Sequence, residues 1–384
     1  MRLLLDYRPA LRERTGVGEF VHELSKALTN GTRPDPSAEV TLFTSSWKDR
    51  PDAALATEIP GATIADARIP VRALVWSWNR LEWPPVEWLA GDHDVVHSQS
   101  PLLIPSRRAA QAVTVHDLDF LRHADQLSAE IRRDYPALAR SHAARADAVI
   151  VSSHYAAGEV ARELHIAPAR VHVCSPGPPS WAEDVRGRLR QGFGAQASPT
   201  SGHILFMGTL SVRKNVGALL DAYARLLTEV PDAPPLVLAG HRTPAAASWE
   251  ARASTPPLKG HVTITGYVTT PQRIDLYAGA RMLVLPSYEE GFGLPVLEAM
   301  ACGVPVVVSS RGSLPEVAGD AATPIDPDDV EGLAAAMRSL LDPGAAKAAA
   351  ARGLAQAARY SWSACAEAAR RAYAAAMEVH AHRG

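Results

Sequence analysis

Cysteine, lysine and uncompensated charge are all scarce in this chain of 384 residues. The three cysteines (Cys174, Cys302, Cys365) form no CxxC pair. They give no disulfide framework and no zinc knuckle, and they suit a reducing compartment. Lys+Arg total 39 against 41 Asp+Glu, a formal charge of −2. The balance is local as well: residues 1–178 hold 20 basic and 22 acidic side chains. Neither half offers the polybasic surface that neutralising a nucleic-acid backbone requires. No stretch approaches ~18 uninterrupted apolar residues, so no membrane span is predicted. The opening run RLLLD (2–6) is broken by Asp6 and then Arg8, too short for a signal peptide and suited to a first strand. These absences predict a soluble, cytoplasmic, globular protein. Only five lysines stand beside 34 arginines, a bias that genomic base composition explains.

What is present is a rhythm. Short apolar runs recur at 2–6, 40–45, 94–98, 112–117, 148–153 and 171–177, then at 204–208, 235–240, 262–266, 282–287 and 305–310. Most are continuous rather than alternating, the pattern of strands buried on both faces of a parallel sheet. Helix-period stretches such as VGEFVHELSKALTN (17–30) and NVGALLDAYARLLTEV (215–230) lie between them. Strand alternating with helix predicts an α/β fold with doubly wound sheets and ligands at the carboxyl ends of the strands. The Pro-rich SPGPPSW (175–181) marks a seam with six runs before it and five after. Two Rossmann-like domains facing one another across a cleft are expected, 1–178 and 179–359. A C-terminal helix at about 360–384, with a stripe through Trp362, Ala366, Ala369 and Tyr373, is expected to pack back on the first domain.

PSYEEGFGLPVLEAMACGVPVVVSS (286–310) carries the chemistry. A strand ends at Ser287, a Gly-rich loop follows, and Pro295 sits where the first position of a helix is expected, with Gly303 closing it. The amides of Gly293 and Leu294 at that helix start form an anion site. Glu290 on the loop and Glu298, expected in the first helical turn, flank it. A diphosphate between two acids that accept from hydroxyls is the recognition pattern of a nucleotide-sugar.

EGFGLPVLEAMACGVPVV, with its E-x7-E acids, resembles the signature of family 4 glycosyltransferases, the retaining, nucleotide-sugar-dependent group with the GT-B fold. The resemblance spans nearly the whole chain. RTGVGEF (14–20) is similar to the family's N-terminal glycine loop, where Gly16 lets the backbone approach the diphosphate. His116 in VTVHDL matches the family's active-site histidine, which contacts the donor sugar; His97 in DVVHSQS is read as structural or supporting. LFMGTLSVRKNVGALLDAY (205–223) resembles the phosphate loop and its helix, so Arg213 and Lys214 are expected to neutralise the departing pyrophosphate. Many relatives carry Arg after the strand's glycine where this chain has Thr209, which puts that burden on Arg213 and Lys214. VTITGYVTTPQRIDLYAGARMLVLPS (262–287) resembles the segment that holds the nucleobase through backbone groups around Tyr267 and Val268, with Ile274, Leu276 and Tyr277 packing the helix. Phe292, Gly293 and Leu294 complete the expected donor site. Glu316 in GSLPEVAGDAA is read as a loop-anchoring acid.

The resemblance implies transfer of a hexose, mannose favoured, from a nucleotide diphosphate (GDP-mannose favoured) to a glycan, polysaccharide or lipid-linked acceptor with retained anomeric configuration. No cofactor or metal is expected, because no DxD pair ends a strand while cations and helix amides are available for the diphosphate. Glu290 is expected to hold the sugar hydroxyls and Glu298 the ribose. The alternatives are a GT-B sugar-nucleotide epimerase and a catalytically silent binding subunit; an NAD enzyme lacks its GxGxxG here. VWSWNRLEWPPVEWL (75–89) holds Trp76, Trp78, Trp83 and Trp88. It is expected to pack on the N-terminal domain, since Pro84-Pro85 breaks a long amphipathic helix. A platform for a sugar acceptor, or weak peripheral contact with the inner face of a membrane, is the alternative.

Overall fold

The computed structural model describes residues 1–11, 14, 16–30, 39–122, 129–190, 202–322 and 324–383. The chain divides into two compact units, Met1–Gly177 with Ser361–Gly384, and Pro178–Tyr360.

Seven strands make the sheet of the first unit: β1 (Arg2–Asp6), β2 (Glu39–Thr44), β3 (Ala62–Asp66), β4 (Val95–Ser98), β5 (Ala110–Thr114), β6 (Ala148–Val151) and β7 (Val171–Val173). Their order is β3-β2-β1-β4-β5-β6-β7, and every pairing is parallel. Strand β3, ATIAD, escapes the sequence reading. It is an edge strand with no fully buried residue, so it lacks the continuous apolar run of its neighbours. One face of the sheet is covered by the helices Val17–Thr29 and Trp362–Ala381. Cys365, Ala366, Ala369, Ala372, Tyr373 and Ala376 of the latter are buried there beside Leu3, Leu5 and Phe20. Small residues let that helix lie close to the strands. The opposite face packs the helix Ala129–Arg145, through Ala139 and Ala143, against Val113 and Val149.

The second unit has five parallel strands: β8 (His203–Met207), β9 (Leu236–Ala239), β10 (Val262–Gly266), β11 (Ala280–Leu285) and β12 (Val306–Val308), in the order β10-β9-β8-β11-β12. All six residues of β11 are buried, Arg281 included. In both units the order reverses between the first strand and its later neighbour, β1 beside β4 and β8 beside β11. Connections leave in opposite directions there, and the carboxyl ends open a crevice. This is the expected pair of doubly wound domains. No helix among the described residues is long and apolar enough to cross a membrane.

Candidate active site

The crevice of the second unit is built from the segments that follow β8 and β11. After β8 a short 3-10 turn, Val212–Lys214, precedes the helix Val216–Glu229. After β11 the loop 286–293 carries Glu290 into the helix Leu294–Cys302. The turn and the loop are tied together, since the Tyr288 amide donates to the Arg213 carbonyl at 2.8 Å. Arg213 Nη1 donates back to the Glu289 carbonyl at 2.6 Å.

Glu290 is buried at this junction. Its Oε1 accepts from Lys214 Nζ and, at 2.7 Å, from Ser287 Oγ. Its Oε2 lies 3.3 Å from Arg213 Nη1. Burial alone would raise the carboxyl's pKa. Lys214 and Arg213 outweigh it, helped by the hydrogen bonds from Lys214 and Ser287, and hold the group below the usual carboxylate range. Glu290 is therefore an ionised, preorganised acceptor with two cations beside it. Its backbone is also fixed: the Glu290 carbonyl accepts from Ser313 Oγ at 2.9 Å. Gly312 passes so close that an added Cβ would stand 2.8 Å from the Glu290 amide nitrogen.

The helix Leu294–Cys302 starts one residue before its expected first position, so Pro295 is its second residue and Gly303 (φ 78) closes it. The amides of Gly293 and Leu294 donate to no described residue, as befits the first donors of a helix. Gly293 takes φ 97 at the cap, and a Cβ there would strike Leu314 at 2.6 Å.

Glu298 departs from expectation in two ways. It lies in the second helical turn, not the first, and it is only 4% exposed. Its Oε1 pairs with the buried Arg273, and its Oε2 accepts from Tyr277 Oη at 2.6 Å. The acid expected to face a ribose is thus held by an internal ion pair. The physical reason is its position in the apolar run LPVLEAMAC, whose other core-facing residues bury it; a charge there needs a partner. The Phe292 ring is buried and meets Tyr360 edge-on at 5.6 Å. Tyr267 and Val268 follow β10. Val268 is buried, while Tyr267 is partly exposed and lies against the His241 ring at 4.9 Å. Ile274 and Leu276 pack on the core and Tyr277 is fully buried. Glu316 stands in the first turn of the helix Leu314–Ala318.

In the first unit, His116 lies two residues beyond the end of β5. Its Nε2 is buried with no hydrogen-bond partner among the described residues. Burial lowers its pKa to about 4, against a backbone hydrogen bond at Gln99 that works the other way. The ring is neutral near pH 7, and with one nitrogen donating to backbone the other keeps its lone pair. His97 is fully buried, with Nδ1 2.8 Å from Tyr373 Oη and Nε2 2.7 Å from Thr114 Oγ1. Gly16 caps the helix Val17–Thr29 at φ 51, with nothing within 4 Å of the place a Cβ would take. Thr15 of the same loop lies outside the described residues.

Of the four tryptophans in 75–89 only Trp78 is buried. Trp76, Trp83 and Trp88 are 60%, 51% and 62% exposed, which corrects the packed segment expected from the sequence. Ser287, Arg273, Gly312 and Ser313 were given no part in the site from the sequence. Arg273 had a signal: it stands four residues before Tyr277, on the face that an amphipathic helix buries.

Two family models match. Residues 14–178 match Glycosyltransferase Family 4 and residues 201–343 match Glycosyl transferases group 1. The chain belongs to this glycosyltransferase family. Among curated relatives, this family 4 chain is 45% identical over 170 residues to O-antigen chain mannosyltransferase B of Escherichia coli, covering 43% of each chain. It is 34% identical over 224 residues to the serotype-specific mannosyltransferase WbdA of Escherichia coli, covering 57% of this chain and 28% of that one. The match therefore spans less than half the length of either relative. Among solved structures, sucrose-phosphate synthase from Thermosynechococcus elongatus superimposes with a TM-score of 0.73 at 20% identity, over 97% of this chain and 98% of that one. That likeness shows the GT-B fold.

Proposed function

We propose that this chain is a retaining hexosyltransferase that moves a hexose, mannose favoured, from a nucleotide diphosphate to a hydroxyl of a glycan, polysaccharide or lipid-linked acceptor. The observation that carries the reading is the ionised Glu290 between Lys214 and Arg213, beside a helix start whose Gly293 and Leu294 amides have no partner among the described residues. The mannosyltransferase names of the relatives support the choice of sugar.

The bond from the sugar's anomeric carbon to the diphosphate breaks and a glycosidic bond to the acceptor oxygen forms on the same face. The departing diphosphate gains the negative charge and takes the acceptor's proton. Backbone amides and cations fixed before the reaction stabilise that charge without reorganising. Lys214, whose ammonium stands beside Glu290, brings a compact positive charge to the phosphate oxygens. Glu290 orients the donor sugar by accepting from its hydroxyls, and His116 offers a bare Nε2 to another hydroxyl. Gly16 leaves room for the diphosphate, and backbone groups at Tyr267 and Val268 read the base. Glu298 holds Arg273 and Tyr277 behind the helix start and offers a ribose the lone pairs those partners leave. No metal is required in this scheme, so EDTA leaves the rate unchanged.

A nucleotide-release screen over GDP- and UDP-sugars, followed by NMR of the product's anomeric proton, tests the reading. GDP-mannose is expected to give the fastest release and a retained anomer. Glu290→Ala should lose well over tenfold in transfer with nucleotide binding kept. An epimerised sugar nucleotide formed from donor alone would replace this reading with the epimerase.

A further inference from the structure

A second concavity lies in the first unit, at the other end of β5 from His116. It has a volume of about 200 Å³ and is lined by Trp78, Glu82, Trp83, Arg107, Gln111 and Arg145, with His142 beside them. Gln111 is the second residue of β5, and His116 lies past that strand's far end. At about 3.3 Å per residue the two stand roughly 15 Å apart. The cavity is therefore separate from the carboxyl-end crevice where this fold binds its ligands.

Its walls are of two kinds. One is aromatic: half-exposed Trp83 meets Trp88 edge-on at 5.9 Å, and the Arg107 guanidinium lies over Trp88 at 5.5 Å. The backbone of this wall is braced. The Pro84 carbonyl accepts from Trp78 Nε1 at 2.9 Å, and the Val86 amide donates to the Pro105 carbonyl at 2.8 Å. The other wall is polar, with capacity unused by the described residues. Gln111 spends its amide nitrogen on the Ile104 carbonyl, and its oxygen has no partner. His142 Nδ1 accepts from the Leu103 amide at 2.9 Å. Burial, then Arg145, keeps that ring's pKa low, so the proton of the neutral ring sits on Nε2 as a donor. The Arg107 guanidinium donates to no described side chain.

An indole face, a planar cation, an amide oxygen and a ring N–H around a space for one ring make a carbohydrate site: C–H groups stack on the indole while hydroxyls take the polar groups. We propose that this cavity binds a neutral hexose unit of the acceptor glycan, remote from the reacting end. The proposal rests on the transferase reading only for the source of the glycan. An anionic membrane is a poorer occupant. Nearby cations are already matched by acids, Arg145 by Glu82 at 3.0 Å, Arg80 by Asp134 at 2.5 Å and Arg108 by Asp92 at 3.4 Å, which leaves no polybasic field.

The test uses the full chain, with linear manno-oligosaccharides of two to eight units as probes and no nucleotide present. Saturation-transfer NMR and tryptophan fluorescence should both report binding. Trp83→Ala and, independently, Arg107→Ala should each weaken it at least tenfold, with melting temperature and GDP binding unchanged. In turnover, Trp83→Ala should raise KM for long acceptors at least fivefold and leave KM for a disaccharide alone. No oligosaccharide binding by the parent chain overturns the proposal. So does loss in Trp83→Ala of sedimentation with phosphatidylglycerol vesicles while oligosaccharide binding is unchanged, which would make the surface a lipid contact. If oligosaccharides bind through Trp83 and no nucleotide-sugar turns over, the cavity stands and the transferase reading falls.

Discussion

At the scale of single residues, buried charge dominates the second unit. Glu298 and Arg273 are both almost wholly shielded from water, and the carboxylate's second oxygen is taken by Tyr277. Such a pair gains little against an apolar replacement of similar volume, because desolvation offsets attraction, yet removing one partner strands the other. Arg273→Met should therefore cost about 3–5 kcal/mol, and Arg273→Met with Glu298→Gln should recover at least half of it. Urea unfolding of the second unit measures both. A single variant within 1 kcal/mol of the parent would mean that water reaches the carboxylate.

At the scale of elements, the site is a loop held by a second loop. Ser313 hydroxyl and amide both reach the Glu290 carbonyl, and Gly312 (φ 68) packs its bare Cα against the Glu290 backbone. Gly312→Ala adds a Cβ within 2.8 Å of backbone nitrogen in a conformation that L side chains rarely adopt, a cost of about 1–3 kcal/mol. Because the contact is with Glu290's own backbone, transfer should fall more than tenfold while nucleotide affinity moves less than threefold. A melting temperature that drops with kcat unchanged would make Gly312 a stability residue only. The same construction explains what could be read from the sequence. Eleven of the strands announce themselves as short apolar runs, most of them buried on both faces; β3, whose ATIAD is broken by Thr63 and Asp66, does not. Glu290, Lys214, Gly293 and Leu294 stand in local motifs, and the structure brings them together. Arg273, Ser313 and Gly312 act through pairings between distant segments, which spacing along one segment does not encode. The ion pair of Glu298 with Arg273 was not legible in the sequence. The partner cation stands 25 residues earlier on another helix, where no local motif announces the pairing.

At the scale of the molecule, the two units differ in how they meet acid. Burial is the largest cause holding six histidines of the first unit below their usual pKa: His22, His93, His97, His116, His142 and His172. Three of them have values of about 4 (His22), 3 (His97) and 4 (His116). In the second unit His203 is the described histidine held down by burial. A histidine neutral when folded but titrating near 6.5 when unfolded binds more protons in the unfolded state between those values. Its stability contribution is complete above the unfolded pKa and falls as pH drops towards the folded one. The slope approaches ~1.4 kcal/mol per pH unit for each fully buried ring and is less for the others. Glu290, also depressed, keeps its contribution until the pH falls below the usual carboxylate range. From pH 7 to pH 5 the first unit should therefore lose stability well ahead of the second. Six of the eight tryptophans (Trp47, Trp76, Trp78, Trp83, Trp88 and Trp362) lie in the first unit, so fluorescence follows mainly that unit while calorimetry records both. The fluorescence midpoint should drop by several degrees more than the other calorimetric transition, and His97→Gln should shrink the difference. Equal shifts in the two transitions would mean that the buried rings take up protons without unfolding.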